Sequence, residues 1–167
     1  RAFYSDLQDS DFQTGISLYH QRFSTNTFPA WPLGQPFRMM CHNGEINTVR
    51  GNRNWMASRE EFFESEIWGD DVEFLKDLLS DGESDSASLD HALELLVLSG
   101  RRLEHAMCML VPPAFRHDQE ISESVRAFYN YIRSFAEPWD GPAGLVFTDG
   151  TTLCAGLDRN GLRPSRY

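Results

Sequence analysis

Two residues of opposite charge could together bind a small zwitterion. Arg22 lies at the end of the alternating apolar stretch 16–23, which predicts a strand, and its guanidinium can hold a carboxylate through two parallel hydrogen bonds. Asp85 precedes the most regular apolar pattern of the chain and is either the N-cap of that helix or the partner of a ligand ammonium group. A surface salt bridge is the ordinary alternative for an isolated arginine.

A second kind of chemistry is indicated by Asn43 and Gly44, which follow a short apolar strand predicted over 37–42. The Asn43 side-chain amide and the Gly44 backbone N–H could both donate to one oxygen, as in an oxyanion hole for acyl transfer. Glycine at this point would let a substrate approach the backbone. The alternative is an ordinary Asn-Gly turn.

The other reactive groups predict neither a nucleophile and base pair nor a metal site. Cys41 and His42 are consecutive on a predicted strand, so their side chains should project to opposite faces. His105 and Cys108 share a helical spacing but no third group orients them, and we interpret both as packing residues. The three cysteines lack any Cys-x-x-Cys spacing, which favours a reducing compartment. The five histidines lack metal-ligand spacing.

The elements that would position these residues change in type along the chain. After the first strands, a proline-rich loop over 28–36 excludes a helix or a central strand. Helices are predicted from Thr48 toward Phe63, from 86 to a stop at Gly100, over 103–110 and over 121–135. Strands 144–148 and 151–155 flank Asp149-Gly150, which predicts a hairpin with a two-residue turn. This order favours an α+β domain with an antiparallel sheet.

Composition narrows the class of protein. The 167 residues fit one domain, and 41% hydrophobic and 24% charged residues are typical of a globular chain. The formal net charge of −10 has the wrong sign for neutralising phosphates, so we expect no nucleic-acid partner. No apolar stretch reaches the roughly 18 residues of a membrane span, so we expect no membrane partner.

One long motif resembles a known family. It runs from His20 to Trp55, includes RFSTNTFPAWPLGQPFRMMCHNGEINTVRGNRNW, and closely resembles the glutamine amidotransferase domain of glutamate synthase large subunits. The likeness extends through GESD at 82–85 and EPWDGP at 137–142 to LDRNGLRP at 157–164. The resemblance implies an N-terminal nucleophile hydrolase fold, which is a four-layer αββα sandwich with antiparallel sheets. Residues 1–167 would form a single partial domain of this kind, truncated at both ends.

By this resemblance, the site is a pocket for glutamine. Arg22 matches the residue that binds the substrate α-carboxylate, and Thr25 forms part of the pocket wall. Asp85 matches the acid that binds the α-ammonium group, and Asn43 and Gly44 match the oxyanion hole. The family's nucleophile is a cysteine at the mature N-terminus, whereas residue 1 is arginine and none of the three cysteines has that context. We therefore expect this chain alone to be inactive.

The resemblance also implies a function for the complete protein, which would make glutamate from glutamine and 2-oxoglutarate with ammonia released in this domain. The remainder of the same polypeptide would hold FMN and an iron–sulfur cluster, with no cofactor in residues 1–167. Its electron donor would be a small reductase subunit or ferredoxin. The expected compartment is the cytoplasm, with the plastid as the alternative. Two other functions stay open: a non-catalytic glutamine-binding or amino-acid-binding module of the same fold, and the amidotransferase domain of another biosynthetic enzyme.

Overall fold

Four α-helices and three β-strands are present in the computed structural model, which describes residues 3–24, 27–79 and 81–166. In chain order they are β1 (Met40–Gly44), α1 (Val49–Glu60), α2 (Asp85–Leu98), α3 (Leu103–Leu110), α4 (Glu123–Ile132), β2 (Ala143–Thr148) and β3 (Leu153–Leu157). Short 3-10 helices occur at Asp6–Gln8, Trp31–Leu33 and Gly69–Leu75. This mixture confirms the predicted α+β class. None of the helices in these ranges combines the length and the apolar character needed to traverse a bilayer.

The three strands form one antiparallel sheet in the order β1-β2-β3. Buried and half-buried residues alternate along the central strand β2, as expected for a sheet with one face toward the core. In the register of β1 and β2, Asn43 lies opposite Gly144 and Gly44 lies opposite Ala143. The end of β1 and the start of β2 are therefore adjacent, and the candidate oxyanion residues lie at this end of the sheet.

Helices α2 and α3 supply most of the helical part of the core against the sheet. Its central members are Leu89, Ala92 and Leu93 of α2, Leu103, Ala106, Met107 and Leu110 of α3, and Met40, Ala143, Leu145 and Phe147 of the sheet. Asp90 of α2 is fully buried, and its carboxylate accepts hydrogen bonds from the backbone N–H groups of Arg38, Met39 and Met40 at 3.2, 2.9 and 2.8 Å. Because an unpaired buried carboxylate would be costly, these bonds fix the start of β1 on α2.

Segment 16–23, which the alternating pattern predicts as a strand, is irregular and mostly exposed. The prediction is wrong because a strand requires a neighbour, and no strand of the described ranges pairs with this segment. It is held by local hydrogen bonds, such as the one from the Arg22 N–H to His20 Nδ1 at 3.1 Å, and by a long-range bond from Cys41 Sγ to the Tyr19 carbonyl at 4.0 Å. The next strand, β1, begins at Met40 rather than at Phe37, since the Phe37 N–H bonds back to the Met40 carbonyl at 2.9 Å.

The predicted helices are confirmed, with α1 and α4 shorter than the patterns indicate. Gly100 follows α2 with φ of +88°, in the left-handed region that favours glycine. The predicted two-residue hairpin turn is wrong, since Thr148 pairs with Leu153 and residues 149–152 form a four-residue loop. The Asp149 carboxylate holds this wider loop by accepting from the N–H groups of Thr151 and Thr152 at 2.9 and 2.7 Å.

Candidate functional site

A cavity of about 530 Å³ lies between residues 19–24 and the end of β1. Arg22, Asn43 and Gly44 all line this cavity, which we call the arginine cavity. The structure thus brings together three of the residues that the sequence singles out, although 21 positions separate Arg22 from Asn43. Thr25, the expected wall residue, lies outside the described residues.

Asp85 lines a different cavity, of about 720 Å³, together with Glu45, Ile46 and Arg53. We call it the aspartate cavity. His42 relates the two cavities, since it is one of the residues that line the arginine cavity and its buried ring has Nε2 at 3.6 Å from Asp85 Oδ2. The acidic candidate is therefore placed behind His42 rather than inside the arginine cavity.

Ser84, and not Asp85, is the N-cap of α2, because its Oγ accepts from the Ala87 N–H at 3.0 Å. The sequence signal was present, since serine is among the preferred capping residues. The Asp85 carboxylate is left to accept from the Ile46 N–H at 2.7 Å and the Ser86 N–H at 2.8 Å. Burial raises the pKa of Asp85, but His42 and these two N–H groups lower the pKa by more, so it lies below its ordinary value of 3.8. Asp85 is therefore a carboxylate at neutral pH.

His42 is a site residue that the sequence reasoning missed. Its side chain is buried, and neither ring nitrogen has a hydrogen-bond partner among the described residues. Its backbone N–H donates to Gln35 Oε1 at 2.7 Å, and Gln35 also lines the arginine cavity. The ring nevertheless lies beside the Asp85 carboxylate, whose Oδ2 is 3.6 Å from its Nε2, so His42 is the residue that brings Asp85 close to the end of β1. The sequence feature that could have identified His42 is its position immediately before Asn43.

Gly44 lies where the backbone of another segment passes close by. Its φ is +155°, and a Cβ atom there would lie 1.7 Å from the Pro142 carbonyl oxygen. Gly141 has the reciprocal relation, with φ of +152° and a Cβ position 1.9 Å from the Glu45 carbonyl oxygen. The Glu45 N–H donates to the Pro142 carbonyl at 3.0 Å. Glycine at both positions therefore makes room for the neighbouring backbone, and the place of Gly44 in an oxyanion hole stays a prediction.

Arg53 of α1 holds the start of α2, where Asp85 lies. Its Nε donates to Ser88 Oγ at 3.0 Å, and its Nη2 donates to the carbonyls of Glu83 and Ser84 at 2.8 and 3.3 Å. Because α1 begins soon after β1 ends, this fork connects the Asn43-Gly44 segment with the start of α2.

None of the three cysteines has the environment of an activated nucleophile. Burial raises the pKa of the Cys41, Cys108 and Cys154 thiols, whereas a reactive cysteine needs a lowered pKa because the thiolate is the attacking form. Cys108 contacts Tyr129, and the neighbouring His105 ring packs on Phe128 with centroids 5.4 Å apart. Within the described ranges, no group of three or more metal-ligating side chains is clustered.

Comparison with known proteins places the whole chain in one family. The model of class-II glutamine amidotransferases matches residues 1–167. The chain is 51% identical over 167 residues to the ferredoxin-dependent glutamate synthase of Pyropia yezoensis and 51% identical over 166 residues to the glutamate synthase (NADPH) large chain of Bacillus subtilis strain 168. Each alignment covers 99% of this chain and 11% of the relative.

A third relative, the glutamate synthase (NADH) of Saccharomyces cerevisiae, is 49% identical over 166 residues, which are 99% of this chain and 8% of the relative. The chain thus spans about a tenth of the length of the curated relatives it matches. The family model thus matches every residue of the chain, and about half of the residues are identical to those of each relative. The chain belongs to the class-II glutamine amidotransferase family.

Proposed function

We propose that this chain is the part of a glutamate synthase that releases ammonia from glutamine. The observation that carries the proposal is the arginine cavity, where Arg22 meets Asn43 and Gly44, with the Asp85 carboxylate behind His42. A guanidinium and a carboxylate complement the two charges of an amino acid, and amide donors complement an acyl-transfer oxyanion. The three relatives named above are all glutamate synthases, which favours this enzyme over another biosynthetic amidotransferase.

In this proposal each residue has one role. Arg22 binds the α-carboxylate of glutamine, Thr25 forms part of the wall, and Asp85 attracts the α-ammonium group. Asn43 and Gly44 donate to the amide oxygen as it becomes negative. Because Asp85 lines the aspartate cavity and lies 3.6 Å from His42, which also lines the arginine cavity, the ammonium group would bind on the His42 side of the arginine cavity.

The attacking group in this proposal is a cysteine thiolate outside residues 1–167. The thiol gives its proton to a base and adds to the amide carbon, and the C–N bond then breaks as the base returns that proton to the nitrogen, so NH3 leaves. Water then hydrolyses the thioester to glutamate and the free thiol. The raised pKa values of Cys41, Cys108 and Cys154 support this assignment. The 167-residue chain alone would therefore bind glutamine without hydrolysing it.

The remainder of the polypeptide would complete the molecule. We propose that the three-stranded sheet and its helices are one sheet and one helical layer of a four-layer αββα sandwich, and that residues 1–167 are one partial domain. FMN, an iron–sulfur cluster and the 2-oxoglutarate site would lie in the other domains. The electron donor would be ferredoxin or a small reductase subunit, in line with the names of the relatives, and the compartment would be the cytoplasm or a plastid.

The test compares two nitrogen sources in the full-length protein. We expect Arg22→Gln to raise KM for glutamine by roughly tenfold or more, because a charge-assisted contact is lost. We expect Asn43→Ala to lower glutamine-dependent kcat by about 100-fold to 1,000-fold, as for an oxyanion donor. Glutamate formation from free ammonia should be unchanged in both. Steady-state kinetics with glutamine and with ammonium salts measure these values.

The matched control is Arg116→Gln, since Arg116 is exposed and lines neither cavity. Equal losses with both nitrogen sources would contradict the proposal. Tight binding of glutamine by the full-length protein without any turnover would instead support a non-catalytic amino-acid-binding module.

A further inference from the structure

We propose that Arg163 is a positioning residue that orients the Asn43 amide for the oxyanion hole. Its Nη1 donates to Asn43 Oδ1 at 3.5 Å, across 120 positions of the sequence. A guanidinium has donors but no acceptor, so it can be paired only with the amide oxygen. The Asn43 NH2 group is then directed away from Arg163 and is free to donate to a substrate. This inference rests on the proposed function and deepens it.

The sheet leaves a path for the Arg163 side chain. Asn43 lies opposite Gly144 in the antiparallel register, and directly opposite residues have their side chains on the same face. A Cβ atom at Gly144 would lie 3.9 Å from Arg163 Cβ, an ordinary contact distance, so the Arg163 side chain begins beside the register partner of Asn43. From there its Nη1 reaches Asn43 Oδ1.

The backbone of Arg163 is held in place by Asp158, which is buried. The Asp158 carboxylate accepts from the N–H groups of Arg163 and Ala143 at 3.0 and 3.1 Å, and also from those of Asn160 and Leu162. Ala143 is the register partner of Gly44. One carboxylate therefore fixes the origin of the Arg163 side chain relative to both candidate oxyanion residues.

The energetic consequence concerns the transition state. Without Arg163, the Asn43 amide could rotate and present its oxygen, an acceptor, to the developing oxyanion. The charged transition state is more sensitive to this rotation than the neutral amide of bound glutamine, so kcat should fall by a larger factor than KM for glutamine rises.

The test uses Arg163→Gln and Arg163→Lys in the full-length protein, with Arg166→Gln as the control because Arg166 is exposed on the same segment. We expect Arg163→Gln to lower glutamine-dependent kcat by roughly tenfold to 100-fold, less than the loss of a donor itself. The ammonia-dependent rate should be unchanged, Arg163→Lys should recover part of the loss, and Arg166→Gln should resemble the wild type.

A double substitution separates positioning from a general structural role. Once Asn43→Ala has removed the amide, adding Arg163→Gln should cause no further loss, because coupled residues are not additive. Multiplicative losses, or an equal fall of the ammonia-dependent rate, would overturn the inference. If Asn43→Ala lowers kcat and Arg163→Gln does not, only the inference fails. If Asn43→Ala has no effect, the proposed function fails with it.

Discussion

The charge state of Asp85 is determined by three neighbours, namely His42 and the N–H groups of Ile46 and Ser86. They lower the pKa of this carboxyl below 3.8 although burial acts in the opposite direction. A carboxyl with a lowered pKa keeps its charge as the pH falls, and loses it only when the pH passes through the lowered value. The Asp85 side chain therefore keeps its negative charge throughout the neutral and mildly acidic pH range.

We predict that KM for glutamine in the full-length protein is constant between about pH 5 and pH 8, since Asp85 does not titrate there. Asp85→Asn should raise KM by roughly tenfold or more over the whole range, because a charge-assisted contact contributes about 1.5–3 kcal/mol. Initial rates at a series of pH values measure both effects. A rise of KM with a midpoint near pH 6 in the wild type would contradict this assignment.

The sequence predicts the chemistry of individual residues better than their surroundings. Arg22, Asn43 and Gly44 are recognisable by type and motif, and they do share a cavity. The position of Asp85 behind His42 depends on how α2 packs on β1, through contacts between residues about 50 positions apart such as the bond from the Met40 N–H to Asp90. No local pattern encodes such a contact.

At the scale of elements, Asp158 joins the end of β3 to the start of β2. Burial raises the pKa of Asp158, while the N–H groups of Leu162, Arg163, Ala143 and Asn160 lower it by more. An asparagine side chain at position 158 could not accept all four of these N–H bonds, because its NH2 group would face some of the backbone N–H donors.

We predict that Asp158→Asn makes the backbone amides in 141–146 and 158–165 exchange with solvent at least about tenfold faster, which corresponds to roughly 1.4 kcal/mol. Hydrogen–deuterium exchange with mass spectrometry on the full-length protein measures this rate. Asp149→Asn is the control, because Asp149 makes similar N–H contacts in the exposed hairpin loop. Unchanged exchange in Asp158→Asn would show that the carboxylate does not hold the strands together.

Helices were predictable because their pattern is local. The apolar spacing of α2 and the glycine at 100 are both contained in the sequence of the element itself. Segment 16–23 has an equally clear alternation, yet it forms no strand, since a strand depends on hydrogen bonds to a neighbour. The hairpin loop differed from the prediction because the Asp149 side chain competes for backbone N–H groups.

At the scale of the molecule, large aromatic side chains are exposed over the described surface. Phe3, Phe28, Trp31, Phe62 and Phe74 each have more than four fifths of their surface accessible to solvent. A net charge of −10 opposes self-association, but each of these exposed rings leaves a large apolar area in contact with water.

We predict that the 167-residue chain on its own self-associates and binds a hydrophobic dye, whereas the full-length protein binds less dye per molecule. Light scattering and dye fluorescence measure the two properties. If the chain is monomeric and binds no dye, these aromatic side chains do not form a contact region, and the prediction is wrong. The α+β class was predictable from the order of elements, because each helix or strand pattern is contained in its own stretch of sequence.

The reciprocal glycines at 44 and 141 make this crossing of two chain segments intolerant of any side chain. Each lies where a carbonyl of the other segment passes, so a methyl group at either position would collide with main-chain atoms. A clash with a flexible side chain can be relieved by a rotamer change, whereas relief here requires the main chain itself to move. The crossing is therefore a point at which even the smallest substitution, to alanine, would disturb the end of β1 and the start of β2 together.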